Sequence, residues 1–517
     1  MYNDRRRQSA AVRYGPHHEN TLNNILLRAR NMESTLNNLK KEAEYITQRS
    51  WVIKKSNLGG RGLFASKFIK KGSLIFTNKP LVIGPRADCA AKTYCSICYV
   101  ISEFCYPCDK CSLFICSKEC GISQEHAKEC AFILDYWKPK TPCDKKSKVL
   151  NQMLIYLRFF LLNEEQKQLV SFLQKSNNYS DFEELKALCS QYEIPKYQVQ
   201  FIRTINAMIK LNSFRISESS CKKTIPLRGI FHLSSFLNHS CVPNTRNVFK
   251  NDYTMCVFAS KDIEIGEEIL TCYTGILWCT PVRRCHLKKT KNFWCKCRRC
   301  ADPTEMDTKL SALKCFNKEC VGFLIPLVPL NSETEWRCDN CKTIATPHHV
   351  STVHSVLGSL VGILDLDDKF RLETVILEKI SNFIPYSNHI FTDLRLRLAL
   401  KIGFTEGLKL NELSESRLSL KESLCRGTLR TVAALGVGDA HLRGLLLYHL
   451  HGALAERARR IPDLYEELKS EIESTIEQAY NILKGDISAP PDLELRHQYL
   501  GPGCDKPHEE RFFILSI

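Results

Sequence analysis

No stretch of this 517-residue sequence offers the roughly 18 uninterrupted apolar residues that a membrane-spanning helix needs. The longest apolar run, about Leu154 to Leu162, is broken by Arg158 and reads as a buried helix. The opening residues Met1-Tyr-Asn-Asp-Arg-Arg-Arg lack the apolar core of a secretory signal. These absences predict no membrane association and a reducing compartment, nuclear and cytoplasmic. Acidic residues are missing between Arg283 and Arg299, a run that holds eight of the lysines and arginines behind the formal charge of +17. Such a run suits either a nucleic-acid contact or a solvated face beside a substrate groove. No nucleic-acid motif accompanies it.

Cysteine, by contrast, is abundant at 26 residues, and a reducing compartment favours metal ligation over disulfides. The densest series is Cys95, Cys98, Cys108, Cys111, Cys116, Cys120, His126 and Cys130. Thiolate and imidazole at these spacings suit two closed tetrahedral zinc sites, and too few apolar residues intervene to build a core without metal. A RING-type cross-brace competes, but its histidine falls mid-series, not next to last; buried free thiols are the bland alternative. Further on, Cys315-x4-Cys320 and Cys338-x2-Cys341, with Gly322 and Trp336 between them, look like a small zinc ribbon, against unliganded loop thiols.

The sequence is organised around Ser235-Phe-Leu-Asn-His-Ser-Cys-Val-Pro-Asn-Thr245. Asn238 offers paired amide groups, His239 a titratable ring, and Cys241 a metal ligand or a small buried hydrophobe. Taken alone, this is a polar loop satisfying its own backbone. About thirty residues later comes Gly266-Glu-Glu-Ile-Leu-Thr-Cys-Tyr273, a turn followed by a strand ending in tyrosine, and then Cys295-Lys-Cys-Arg-Arg-Cys300. Upstream, Trp51-Val-Ile starts a strand, and Asn57-Leu-Gly-Gly-Arg-Gly62 is a glycine-rich turn that fits a plain hairpin or a backbone approach to a ligand. Ser73 to Thr77 forms the next strand.

Together these segments resemble the SET-domain lysine methyltransferases. The cysteine-histidine series resembles the MYND zinc finger, which implies pairing Cys95, Cys98, Cys116 and Cys120 in one site and Cys108, Cys111, His126 and Cys130 in the other. A finger and a helical block lying between two SET halves is similar to the SMYD family, and the ribbon resembles its arthropod-expanded, SmydA-like members. The resemblance implies an α+β multidomain fold that binds S-adenosylmethionine and three or four zinc ions. Gly60, Arg61, Gly62, Asn212, Ser235, Asn238, His239, Tyr273 and Phe293 would contact the cofactor, Gly60, Arg61 and His239 through backbone atoms. Phe293 would stack on its adenine. Tyr273 would be catalytic, closing a narrow lysine channel. Cys241, Cys295, Cys297 and Cys300 would hold the post-SET zinc. Arg61 and Cys272 depart from the residues commoner in relatives, without removing a chemical role.

The implied organisation runs as follows. Residues 1–50 are an extension, polar and then helical from Thr21 to Gln48. The SET parts are 51–90 and 226–275, with the MYND finger at 95–130 and a helical insert at 140–225, whose end at Leu211 to Ile216 returns to strand. Post-SET covers 276–302 and the candidate ribbon 308–345. Residues 346–517 form a helical domain resembling tetratricopeptide repeats, marked by the stripes Leu372, Ile376, Ile380, Phe383 and Leu468, Ile472, Ile476, Ala479, Leu483, the latter capped by Gly485. The implied activity is lysine methylation of a histone tail or another protein in transcriptional regulation. The alternative is a catalytically quiet scaffold whose finger captures proline-containing peptides of corepressors.

Overall fold

The structure, a computed structural model, describes residues 49–89, 92–140, 148–175, 181–216, 223–363, 384–404 and 409–515. The helix expected over Thr21–Gln48 and the stripe Leu372, Ile376, Ile380, Phe383 lie outside these residues. The class is α+β, and its β-portion is divided in sequence.

Three small sheets each join strands from before the finger to strands from after the helical block. In the first, Trp51–Lys55 pairs antiparallel with Arg61–Ala65 around a turn where Gly59 and Gly60 take φ of 119° and 65°. That left-handed backbone favours glycine. Glu268–Thr271 adds to Arg61–Ala65, and the two-residue strand Asn238–His239 lies parallel on its far side. A second sheet holds Val82–Pro85, Leu227–Ile230 and Ser213–Ile216. In the third, Met255–Ala259 sits between Thr245–Phe249 and Leu74–Asn78. As the central strand it carries no polar residue, and Met255, Cys256, Val257 and Ala259 are all buried.

The insert packs against this frame. Serines at 117 and 123 cap the finger helices Lys118–Ile122 and Gln124–Tyr136 by accepting backbone N–H groups of Cys120 and His126. The described residues of the helical block form five helices, among them Leu154–Phe160 and Lys196–Asn212. The expected strand over Leu211–Ile216 begins only at Ser213. Asn212 stays helical, its side-chain amide donating back to the Met208 carbonyl at 2.8 Å. Leu154–Phe160 is buried as its apolar run requires, and it presses on a strand glycine: a Cβ on Gly84 would lie 2.5 Å from that of Ile155. The arginine interrupting that run ties three segments together. Arg158 donates to Glu129 at 2.6 Å, to the Ile83 carbonyl at 2.9 Å, to the Ser96 carbonyl at 3.0 Å and to the Tyr99 hydroxyl.

After the helix Thr280–Lys291 comes a four-stranded sheet over 313–345, then the C-terminal helices. Glu415–Ala434, His441–Arg460 and Pro462–Leu483 stack in turn. Ile472, Ile476, Ala479 and Leu483 are buried and Leu468 packs beside them, with Gly485 left-handed just past the helix end. Leu446, Leu447 and Leu450 are core. The helices dock on the β-frame through Arg246, whose guanidinium donates to the carbonyls of Asn481 and Ile482 and stacks 4.8 Å from the Phe258 ring centroid. No helix among the described residues is long and apolar enough to cross a membrane.

Replacing Arg158 by Met leaves the buried Glu129 carboxylate without its partner, a loss on the order of 3–5 kcal/mol. The expected outcome is a thermal midpoint several degrees lower, read by differential scanning calorimetry. An unchanged midpoint would show that finger and β-frame are held by apolar packing alone.

Candidate active site and metal centres

The glycine turn, the parallel strand and the end of Glu268–Thr271 meet at one edge of the first sheet. Asn238 donates its amide protons to the Arg61 carbonyl at 3.1 Å and to Glu268 Oε1 at 2.7 Å. Its Oδ1 is the acceptor that the described residues leave unused. Glu268 also accepts from Ser56 Oγ at 2.9 Å, so one carboxylate fastens both sides of the turn. Gly62 is there for space: a Cβ would overlap Glu268 and lie 3.0 Å from Asn238 Nδ2. The sequence reading missed Glu268, which the pairing of two strands far apart in sequence sets opposite Phe64. Asn244 completes the seam by accepting from Leu270 N at 2.7 Å and donating to the Glu268 carbonyl at 2.9 Å.

His239 is buried, and its ring accepts the Tyr273 backbone N–H at Nδ1, 3.0 Å away. That bond assigns the proton to Nε2, which faces Cys241 Sγ at 3.2 Å. Burial pulls the ring's pKa down to about 4, so it is neutral. The Tyr273 ring lies 5.2 Å from that of His239, and the Phe293 ring 6.0 Å. The Tyr273 hydroxyl donates to the Leu237 carbonyl, and burial pushes its pKa well above the usual phenol value. Of the other expected contacts, Ser235 Oγ donates to the Phe231 carbonyl at 2.8 Å, and Asn212 donates to the carbonyls of Gln174 and Met208. Arg61 reaches the Phe172 carbonyl at 2.9 Å and covers the Phe236 ring. Cys272 is turned to the Thr274 carbonyl at 3.2 Å.

Four groups of ligand atoms converge: Cys95, Cys98, Cys116 and Cys120; Cys108, Cys111, His126 and Cys130; Cys241, Cys295, Cys297 and Cys300; Cys315, Cys320, Cys338 and Cys341. Within each group all ligand atoms lie within 4.8 Å of one another. A tetrahedral zinc with bonds of about 2.3 Å to sulfur needs sulfur–sulfur edges near ~3.8 Å. Observed edges are 3.4 and 3.7 Å in the first group, 3.5 and 3.9 Å in the third, and 3.5 and 3.7 Å in the fourth. The donor sets therefore fit zinc. In the fourth group Gly322 is required, since a Cβ there would lie 2.6 Å from Cys338 Sγ.

The third group has a buried electrostatic support that the sequence reading missed. Arg283, fully buried, donates to Cys241 Sγ at 3.1 Å, to Cys300 Sγ at 3.5 Å and to Glu305 at 2.8 Å. Arg299, also fully buried, reaches the same Glu305 oxygen at 3.3 Å. Four thiolates around a divalent cation would leave a surplus of about two negative charges; Arg283 meets it directly, and with Glu305 between them the two arginines offset it in part. The basic run is accordingly divided. Arg283, Arg284 and Arg299 are buried, whereas Lys288, Lys289, Lys296 and Arg298 face solvent. Composition alone could not separate the two sets.

Residues 60–274 match the SET domain family. The chain is 30% identical to the SET domain-containing protein SmydA-8, isoform A, of Drosophila melanogaster over 77% of its own length and 87% of that protein's. It is 24% identical to the histone-lysine N-methyltransferase ASHR1 of Arabidopsis thaliana, over 58% of this chain and 66% of that one. Mouse histone-lysine N-methyltransferase SMYD3 is 26% identical over 54% of this chain and 67% of its own.

Elemental analysis of the purified, folded protein is expected to find at least three zinc equivalents, and four when the 315–341 group is loaded. Fewer than three would overturn the ligand assignment.

Proposed function

Because the chain belongs to the SMYD family of SET-domain proteins, among its SmydA-like members, we propose that it is an S-adenosylmethionine-dependent protein-lysine N-methyltransferase. The observation that carries this reading is the convergence of Asn238, His239, Tyr273 and Phe293 on one sheet edge beside the glycine turn. S-adenosylmethionine, when bound, supplies an electrophilic methyl group. Asn238 offers its Oδ1 to the cofactor's amino-acid end, while its amide protons stay on Arg61 and Glu268. Phe293 offers a ring face for the adenine, beside a His239 ring fixed by the Tyr273 N–H.

A lysine acceptor has a reference pKa of about 10.4 and must react as the neutral amine. An apolar channel closed by Tyr273 disfavours the ammonium, and positioning supplies most of the remaining rate. Tyr273 stays protonated at neutral pH. Its one proton is committed to the Leu237 carbonyl, so its oxygen is an acceptor that orients the amine. The substrate is a lysine-containing protein, a histone tail or another, and the activity serves transcriptional regulation in nucleus and cytoplasm. A second reading, a scaffold capturing proline-containing peptides at a MYND finger, is favoured by Phe104 and Ile122, exposed by 89% and 83% on that finger.

Asn238→Ala is expected to weaken cofactor binding measured by calorimetry by roughly five- to 150-fold, since a lost partner in a half-dry pocket costs roughly 1–3 kcal/mol. Retained affinity would make the Asn-His-Ser-Cys stretch structural. Tyr273→Phe keeps the ring and its packing, so affinity should persist while methyl incorporation into a lysine-rich protein mixture falls about a hundredfold. Equal incorporation would remove Tyr273 from the mechanism. No incorporation by wild type, with the cofactor bound, would favour the scaffold.

A further inference from the structure

One amine in this region is used by nothing described so far. Lys291 is the last residue of the helix Thr280–Lys291, two residues before Phe293. Its side chain turns inward. Nζ donates to the Leu211 carbonyl at 2.6 Å and to the Lys210 carbonyl at 3.2 Å, both at the C-terminal end of the helix Lys196–Asn212. It also lies 5.3 Å from the centroid of the Tyr273 ring. No carboxylate pairs with it among the described residues, since Glu268 is held by Ser56 and Asn238. Burial pulls its pKa down to about 8, which still leaves it mainly charged at pH 7.

The bland account is that Lys291 merely caps a helix, because an ammonium is favoured by the carbonyls at a helix C-terminus. That account explains the two hydrogen bonds. It does not remove the consequence of where the charge sits, because chemistry organised around Tyr273 takes place within one side-chain length of a fixed cation.

We propose that Lys291 is a charge-selecting residue of the methyl-transfer site: its ammonium, held against Tyr273 by two main-chain carbonyls, disfavours a second positive charge there. The inference rests on the methyltransferase reading and deepens it. Two ligand groups at such a site exist in cationic and neutral forms. The acceptor is an ammonium or a neutral amine, and only the amine has a lone pair to attack. The cofactor is a cationic sulfonium before transfer and a neutral thioether after it. A fixed charge favours the neutral member of each pair, so it selects an acceptor that has already left its proton in bulk water and makes the spent cofactor bind more tightly than the fresh one. A nearby cation activates an amine by the same repulsion.

The test uses binding, independent of turnover. Calorimetry on the full-length, zinc-loaded protein gives Kd for S-adenosylmethionine and S-adenosylhomocysteine in wild type, Lys291→Gln, Lys291→Met and Lys291→Arg. Glutamine keeps an N–H donor for the carbonyls, methionine keeps the stem, and arginine keeps the charge. In both neutral variants the preference for S-adenosylhomocysteine should weaken on the order of tenfold, the size of one largely water-screened charge a few ångströms away. The arginine variant should keep the wild-type ratio. A purely structural role would weaken both ligands alike and leave the ratio unchanged. An unchanged ratio in whichever neutral variant folds, with both ligands bound, overturns the inference alone. Failure of wild type to bind either ligand removes the methyl-transfer reading and this inference with it.

Discussion

Cys241 is held by the same short segment as His239, and its sulfur lies among Cys295, Cys297 and Cys300 from far along the chain. One four-thiol centre therefore fastens the strand Asn238–His239 to the segment carrying Lys291 and Phe293. The orientation of Tyr273 depends on it at one remove, because the His239 ring that accepts the Tyr273 N–H also faces the Cys241 sulfur. The parallel strand and the aromatic wall thus meet at a single convergence of sulfur atoms. Metal binding at such a centre is also folding free energy, so the site and its support form together.

Buried arginines do the joining elsewhere. Arg283 and Arg299 share Glu305 beneath the thiols, Arg158 gathers finger, strand and helix, and Arg246 links the C-terminal helices to the β-frame. A guanidinium suits this work because its fixed fork of donors can satisfy several carbonyls and carboxylates at once, and because it stays ionised when buried. Desolvating it is costly, so each of these residues is tied to acceptors on separate segments. The sheets by themselves are small, and strands of two to five residues leave little contact area between modules. Directional bonds from buried cations supply the alignment that apolar packing alone leaves loose.

Lys291 belongs to the same pattern but has no carboxylate partner among the described residues. Its ammonium rests on carbonyls and on the face of Tyr273, an arrangement that leaves the positive charge uncompensated. A helix end and the ring of Tyr273 thus share one side chain.

The sequence by itself determined the candidate donors, because thiolate and imidazole recur there at zinc-ligand spacing; their grouping was implied by the family resemblance and agrees with the four groups that converge in the structure. It also determined the strand–turn–strand at Gly59 and Gly60, the C-terminal stripe from Leu468 to Leu483, and the buried helix that Arg158 interrupts, since each is written in local conformation or periodicity. Tertiary structure alone decided which charges are buried. Arg283, Arg284 and Arg299 are indistinguishable by composition from Lys288, Lys289, Lys296 and Arg298, yet the first three are internal and the others face water. It likewise decided that Glu268 braces the glycine turn, that Asn212 ends a helix instead of starting a strand, and that Lys291 reaches Tyr273. Such roles depend on partners tens to hundreds of residues away, and the Coulomb and hydrogen-bond terms that select them exist only once those partners are brought to within a few ångströms.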